Sequence, residues 1–372
     1  MKTDDFKKIL VTRSSMPTYE EYCEAIKPLW DSHWITNMGK YHKEFEKQIK
    51  DFLDVPKVSL TVNGHMALEL AIQSYDFPEG SEVITTPFTF ISTTHAIVRN
   101  RLKPVFCDVK ESDGTIDETK IEDLITPNTV AILPVHVYGN ICNVDEIQKI
   151  ANKYGLKVIY DAAHAFGETY HSQGIGNFGD ASIYSFHATK VFNSIEGGAV
   201  VCKTQEKYDQ LYNLKNFGIR GEELVVSVGA NAKMNEFCAI MGLLNLKYFN
   251  KSIEDRKRVF STYHNLLDKK AGFRYLSTAG VASDLTPNYA YFPIVVLDDY
   301  PLTRDELYIK LAQHGIHARK YFYPLTSDQA CFKNMYKQID VKIARELSER
   351  VISLPIYEGM EQNDIERICD LL

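Results

Sequence analysis

The chain has 372 residues, of which 45% are hydrophobic and 24% are charged, and this length suggests two domains. The composition is ordinary for a globular protein, which excludes disordered, collagen-like and coiled-coil chains. With 42 basic and 49 acidic residues the net charge is −7, and this argues against a nucleic-acid partner, because such proteins usually carry a basic excess.

The segment before Val58 begins with charged residues, Met1–Lys8, where a signal peptide would need an apolar run. No stretch of the chain reaches the roughly 18–20 apolar residues that cross a bilayer. The seven cysteines are scattered and include no C-x-x-C pair, so neither disulfides nor a metal site is expected. We therefore predict a cytoplasmic protein with no membrane partner. The same segment holds Trp30 and Trp34 and is expected to be an arm that packs on the body or on a partner.

Short apolar runs alternate with amphipathic stretches between residues 58 and 202. The predicted helices are Met66–Ser74 and Val144–Tyr154, the second of which ends at Gly155. The predicted strands are Val58–Val62, Glu82–Thr86, Lys103–Asp108, Thr129–Val137, Lys157–Asp161, Ala181–Phe186 and Gly198–Cys202. This alternation predicts an α/β fold with a large, mostly parallel sheet flanked by helices, and ligands bind such sheets at the carboxyl ends of the strands.

The pattern changes after a long predicted helix, Met234–Lys269. Beyond Gly272 only two good strand candidates follow, Tyr289–Leu297 and Ile316–Arg319, together with predicted helices at Arg304–His314 and Val341–Arg350. We interpret this part as a smaller C-terminal α+β domain. The predicted division is an N-terminal arm and large domain at 1–250 and a small domain at 251–372.

Two strand ends carry groups that can take part in covalent chemistry. Asp161 ends an apolar strand and is followed by two alanines and His164; alone, such a residue more often caps a helix. Lys190 follows the next strand and lies near a Gly-Gly turn. It is either a solvated loop lysine or an amine whose pKa is lowered by desolvation, which would make it a nucleophile toward carbonyls.

Two further strand ends could hold the remainder of a cofactor. Gly64 and His65 join a strand to a helix, and a helix N-terminus presents free N–H groups to an anion. Phe90, after another strand, could cover a flat ring. Each signal is weak alone, but amine, carboxylate, anion cradle and aromatic face together meet the needs of pyridoxal phosphate.

Other patterns remain open at this point. Gly174-Ile-Gly-Asn-Phe-Gly179 matches a dinucleotide fingerprint in its letters, but a strand follows it instead of a helix, so a loop is favoured. His136 and Tyr138 could contact a ligand or pack in the core with equal weight. Tyr321-Phe-Tyr323-Pro324 could border a substrate, although packing is the commoner role.

Several motifs resemble, in order and approximate spacing, those of the DegT/StrS family of nucleotide-sugar aminotransferases. These motifs are Thr36-Asn-Met-Gly39, Pro134-Val-His-Val-Tyr-Gly139, Asp161-Ala-Ala-His164, Ser185-Phe-His-Ala-Thr-Lys190, Glu196-Gly-Gly, Gly229-Ala-Asn231-Ala-Lys-Met234 and Ser353-Leu-Pro355. The resemblance covers nearly the whole chain. It implies the fold of the type-I pyridoxal-phosphate enzymes, like that of aspartate aminotransferase, and a homodimer with shared active sites.

The resemblance also implies roles for individual residues. Lys190 would form the Schiff base and shuttle protons, and Asp161 would pair with the pyridinium nitrogen. The remaining roles would be His164 on the ring hydroxyl, a position where many members have Gln; Gly64, His65 and Ser185 on the phosphate; Phe90 on the ring face; and Asn231 reaching the phosphate from the other subunit. For His187 it is the position three residues before Lys190 that favours a site role, against the sugar. Lys233 stands where relatives often carry Arg, which could bond an anion bidentately.

The expected reaction is transfer of an amino group from L-glutamate to a keto sugar. A lysine at 190 argues against the dehydratase branch, which has His there. The run from His187 to Gly198 resembles members that aminate C4 of dTDP-4-keto-6-deoxyglucose to give dTDP-4-amino-4,6-dideoxyglucose, a precursor of O-antigen and other glycoconjugate sugars. Alternatives are amination at C3 of a dTDP-3-keto-6-deoxyhexose, a regulatory protein that retains the fold, and a nicotinamide enzyme that uses the Gly174 motif.

Overall fold

The structure, a computed structural model, describes residues 7–279, 284–332, 335–336 and 340–372, so the charged residues 1–6 lie outside it. Its α-helices are α1 (Tyr19–Ile26), α2 (Pro28–Ser32), α3 (Lys40–Phe52), α4 (Gly64–Gln73), α5 (Ile91–Arg99), α6 (Val144–Tyr154), α7 (Gln205–Lys215), α8 (Glu236–Leu267), α9 (Arg304–Gln313), α10 (Lys342–Arg350) and α11 (Gln362–Leu371). Its strands are β1 (Ile9–Leu10), β2 (Lys57–Thr61), β3 (Glu82–Thr85), β4 (Lys103–Phe106), β5 (Thr129–Leu133), β6 (Lys157–Asp161), β7 (Thr169–Tyr170), β8 (Gln173–Gly174), β9 (Ala181–Ser185), β10 (Gly198–Cys202), β11 (Phe273–Tyr275), β12 (Leu285–Thr286), β13 (Phe292–Val296), β14 (Ile316–His317) and β15 (Val351–Leu354).

The main sheet has seven strands in the order β2-β10-β9-β6-β5-β3-β4. Neighbours from β9 to β4 pair in parallel, whereas β10 is antiparallel to both β2 and β9. The prediction of a mostly parallel α/β sheet is therefore confirmed. Because every strand except β10 runs the same way, the carboxyl ends of β2, β3, β6 and β9 lie along one edge.

Alternation along the strands explains why helices cover both faces of this sheet. In β6, Val158 and Tyr160 pack with α6, whereas Ile159 packs on the opposite side with α4 and α5. In β9, Ile183 joins the α4 side and Tyr184 packs toward α3 and α8. Strands buried on both faces need continuous apolar runs, which is the pattern the sequence shows.

The predicted boundaries are accurate where the sequence carries a clear stop signal. The predictions for β6, β10 and α6 agree with the structure to the residue, and Gly155 adopts the left-handed conformation (φ 68°) that ends α6. The predicted strand Thr129–Val137 is too long: β5 ends at Leu133, because Pro134 has no N–H to donate to the sheet.

The C-terminal region contains a second, antiparallel sheet in the order β11-β13-β15. The expectation of only two strand candidates there was wrong, since β11, β12 and β15 also form. Strand β15 follows α10 directly, with no glycine or proline between them to indicate the change. The predicted boundary after residue 250 falls inside α8, whose first half packs with α3 and whose second half packs with β13 and α11. The division into two domains stays a prediction.

The N-terminal arm packs on the body through α1, which lies along α8. The hydroxyl of Tyr22 donates to the carbonyl of Phe237, and the Trp30 ring meets the Phe237 ring edge to face. Trp30 and Trp34 nevertheless remain 62% and 58% exposed. Within the part of the chain that is described, no helix is both long enough and apolar enough to span a bilayer.

Candidate active site

A cavity of about 410 Å³ opens at the carboxyl ends of the main-sheet strands. The predicted site residues that line it are Gly64, His65, Phe90, Asp161, His164, Ser185, His187 and Lys190. They come from the ends of β2, β3, β6 and β9, the edge where doubly wound sheets bind ligands. Asn231, in contrast, is exposed and does not line this cavity.

The carboxylate of Asp161 is buried at the end of β6 and is held by its own chain. One oxygen accepts a hydrogen bond from the Thr93 hydroxyl (2.8 Å), and the other accepts from the Ala163 N–H (3.1 Å). Burial raises the pKa of Asp161, opposed by these hydrogen bonds and by Lys190. A carboxylate in such surroundings gains most from a cationic partner, so it suits a protonated ring nitrogen.

The amine of Lys190 lies in the same cavity. Burial lowers the pKa of Lys190 to about 8, although Asp161 and Tyr321 act in the opposite direction. Its Nζ is 3.4 Å from the hydroxyl of Tyr291. A lysine with this pKa is partly uncharged near neutral pH, and only the uncharged amine attacks a carbonyl carbon.

The imidazole of His164 is buried in one tautomer. Its Nδ1 accepts a hydrogen bond from the Tyr138 N–H at 3.0 Å, so the proton of the neutral ring is on Nε2. Burial, followed by the charge of Lys190, holds the pKa of His164 well below its usual range. The ring also packs against Phe322 and Tyr291, at centroid distances of 5.9 and 4.7 Å. His164 is therefore a fixed hydrogen-bond donor through Nε2.

The N-terminus of α4 forms the anion-binding end of the cavity. Asn63 caps the helix by accepting from the Met66 N–H, whereas the N–H groups of Gly64 and His65 precede the first helical bond. A Cβ on Gly64 would lie 2.7 Å from the Cβ of Ser185, so only glycine lets the helix approach that strand end. Backbone donors, a hydroxyl and a helix dipole suit a phosphate group.

The side chain of His65 is engaged elsewhere. Its Nδ1 is 2.8 Å from the Ser92 hydroxyl, and its Nε2 is 2.8 Å from a Glu69 carboxylate oxygen. These contacts leave the backbone N–H of His65 as the group that can serve an anion.

Two exposed rings border the opening of the cavity. Phe90 is 57% exposed just before α5, which leaves a free aromatic face at the cavity. The ring of His187 is held by the Thr189 hydroxyl at 2.8 Å and lies 3.5 Å from a Glu196 carboxylate oxygen. This arrangement orients an imidazole at the mouth, where a polar substrate group could reach it.

Tyr291, in the C-terminal region, lines the cavity although the sequence did not single it out. Tyr291 lies just before β13, inside a predicted strand, and nothing in the local pattern distinguished it from a packing residue. Tyr321 and Phe322 also line the cavity, which favours the substrate-bordering interpretation of that aromatic run. Thr93 could not be linked to Asp161 from the sequence, because 68 residues separate them.

Two of the open alternatives are decided by the structure. His136 is fully buried, stacks on Tyr160 at 4.7 Å and accepts from the Cys142 N–H, so it is a core residue. The glycines of the Gly174 motif lead into a 3-10 turn, Ile175–Asn177, and then into β9. A Cβ on Gly174 would lie 2.3 Å from the Leu53 carbonyl oxygen, so close packing accounts for this glycine. The loop interpretation is confirmed.

The chain is similar over nearly its whole length to proteins of one family. A family model described as the DegT/DnrJ/EryC1/StrS aminotransferase family matches residues 18–372. The dTDP-4-amino-4,6-dideoxy-D-glucose transaminases of Shigella dysenteriae and Escherichia coli are 41% and 40% identical to this chain, over 98% of both partners in each pair. The crystal structure of DesI in the presence of its TDP-sugar product matches with a TM-score of 0.92 and 30% identity, and covers 98% of this chain and 92% of DesI.

Proposed function

This chain belongs to the DegT/DnrJ/EryC1/StrS aminotransferase family, and from that premise we propose that it aminates C4 of dTDP-4-keto-6-deoxyglucose with L-glutamate as donor. The observation that carries the proposal is that Lys190 and Asp161 share one cavity with a helix N-terminus. The choice of acceptor sugar is supported by the 41% identity to a dTDP-4-amino-4,6-dideoxy-D-glucose transaminase.

The donor set of the cavity fits pyridoxal phosphate, with an amine, a carboxylate, a helix N-terminus and an aromatic face around one space. When bound, this cofactor withdraws electrons from the substrate carbon and accepts or delivers the amino group. Asp161 would hold a proton on the ring nitrogen, and His164 would donate from Nε2 to the ring hydroxyl. Gly64, His65 and Ser185 would bind the phosphate.

Lys190 would bind the aldehyde covalently between turnovers and move a proton during them. Its partly uncharged state suits both tasks, since the amine must attack a carbonyl and must also accept a proton. Overall, L-glutamate and the keto sugar become 2-oxoglutarate and the amino sugar, so the amino group and the keto oxygen change places. No oxidant or reductant is consumed.

The two exposed rings at the opening of the cavity, Phe90 and His187, would contact the cofactor and the sugar. Phe90 would lie against the ring face, which keeps water from one side of the ring. His187, held by Thr189 and Glu196, would bond a sugar hydroxyl at the mouth of the cavity.

The active unit would be a homodimer. The loop 217–231 exposes a set of apolar side chains, Phe217, Ile219, Leu224, Val225, Val226 and Val228. Such patches are typical of protein–protein interfaces. The loop ends at Asn231, whose side-chain oxygen accepts from the Lys233 ammonium at 2.8 Å. Asn231 thus lies beside the apolar patch and outside the cavity of its own chain. In a homodimer formed through this patch, its side chain would reach the phosphate bound by the second subunit.

The proposal is tested with ¹⁵N-labelled L-glutamate and dTDP-4-keto-6-deoxyglucose. We expect ¹⁵N at C4 of the product by NMR. A label at C3, obtained only with the 3-keto isomer, would overturn the choice of acceptor, and failure with both sugars would overturn the function. Lys190→Ala, shown to be folded by circular dichroism, serves as the control and should give no labelled sugar.

A further inference from the structure

The hydroxyl of Tyr291 lies beside the reactive amine but belongs to a different part of the fold. Its oxygen is 3.4 Å from Nζ of Lys190, and the two residues are 101 positions apart. Lys190 comes from the loop after β9 in the main sheet, whereas Tyr291 immediately precedes β13 in the C-terminal sheet. The contact therefore depends on how the two sheets are packed together.

Packing fixes the ring of Tyr291 in this place. It meets the Tyr138 ring edge to face at 5.7 Å and the His164 ring at 4.7 Å. It also meets the Tyr321 ring edge to face at 6.1 Å. A ring held on three sides keeps its hydroxyl at one position, so Lys190 can return to the same partner after it has moved.

A hydroxyl is the type of group that can hold this lysine in both of its protonation states. It accepts a hydrogen bond from an ammonium and donates one to a neutral amine, whereas a carboxylate can only accept. Burial raises the pKa of Tyr291, partly opposed by the buried guanidinium of Arg256, so the hydroxyl keeps its proton. Both oxygens of the nearby Asp161 already accept hydrogen bonds, from Thr93 and Ala163.

We propose that Tyr291 is a positioning residue that holds the Lys190 amine whenever this amine is not bound to the cofactor. The role rests on the proposed aminotransfer, in which Lys190 must leave the aldehyde, carry a proton and return. Without the hydroxyl, the released side chain would sample other rotamers in a cavity of about 410 Å³. Fewer of its conformations would then be suited to proton transfer.

The test is Tyr291→Phe in the cofactor-loaded full-length protein, followed by rapid mixing with L-glutamate. We expect the long-wavelength absorbance of the bound cofactor and the Kd for glutamate to stay within about twofold of wild type. The rate constant of the amino-donor half-reaction should fall about ten- to one-hundred-fold, the range for one lost hydrogen bond to a charged group. The isotope effect with glutamate deuterated at Cα should rise.

The matched control is Tyr184→Phe, which also removes a buried hydroxyl but from a residue outside the cavity. It should leave the half-reaction within about twofold of wild type. A wild-type rate in Tyr291→Phe, or an equal loss of rate in Tyr184→Phe, would overturn the positioning role. Absence of any spectral change with glutamate in wild type would instead overturn the proposed function and this role with it.

Discussion

The cavity and the loop 217–231 differ in whether their functional side chains are held by the rest of the chain or left exposed to water. In the cavity, two polar groups that face the proposed cofactor are held by hydrogen bonds from their own chain, Asp161 by Thr93 and His164 by the Tyr138 backbone. The loop instead leaves apolar groups in water, Val228 at 87% exposure among them. In the proposed homodimer, one chain would set the acid–base chemistry and a second copy would complete the binding site.

The largest expected effect comes from the amine of the cavity. Lys190→Ala should reduce amino transfer by roughly a thousandfold or more, because it removes both the covalent anchor and the proton carrier. The measurement is the initial rate of 2-oxoglutarate formation with both substrates present. A rate within tenfold of wild type would contradict the role of Lys190 as covalent anchor and proton carrier.

The second effect concerns the carboxylate opposite this amine. Asp161→Asn should reduce turnover on the order of a hundredfold, because a neutral amide no longer favours a protonated ring nitrogen. The matched control is Glu168→Gln, which makes the same exchange of carboxyl for amide at another buried residue that does not line the cavity. Equal losses in the two variants would mean that the change acts through folding and not through the ring.

A smaller effect should follow from a charge placed on the loop. Val226→Asp should shift a dimer toward monomers and lower activity about tenfold in dilute solution, with recovery as the protein concentration rises. Sedimentation velocity measures the assembly directly. Ile309→Asp, at an equally exposed apolar residue on α9, should leave the dimer intact. If the wild-type protein were monomeric and fully active, the claim that a second copy completes the binding site would be wrong.

The smallest effect should come from the end of the loop. Asn231→Ala should leave the dimer intact and weaken pyridoxal phosphate binding by only about tenfold, the lower end of the range for one hydrogen bond to a charged group, because the proposed phosphate contacts of Gly64, His65 and Ser185 remain. Equilibrium dialysis of the cofactor measures this change. Unchanged affinity would mean that Asn231 does not reach the phosphate of the partner.

The site residues differ in how well the sequence alone could predict them. Strand ends are local signals, so Asp161, Lys190 and the Gly64 turn could be placed at one edge of a sheet before the fold was known. Tyr291 and Thr93 could not, since their contacts with these residues arise from packing between distant segments. Strand β15 was missed because α10 runs into it without a turn residue. The hydrogen bond that fixes the tautomer of His164 comes from a backbone N–H, which no side-chain pattern reveals.

The most direct test of the central claim asks which residue bonds the cofactor. Protein loaded with pyridoxal phosphate is reduced with borohydride, digested and mapped by mass spectrometry. The account predicts a pyridoxyl group on the peptide that contains Lys190, and its disappearance in Lys190→Ala. A pyridoxyl group on another lysine, or on none, would contradict it.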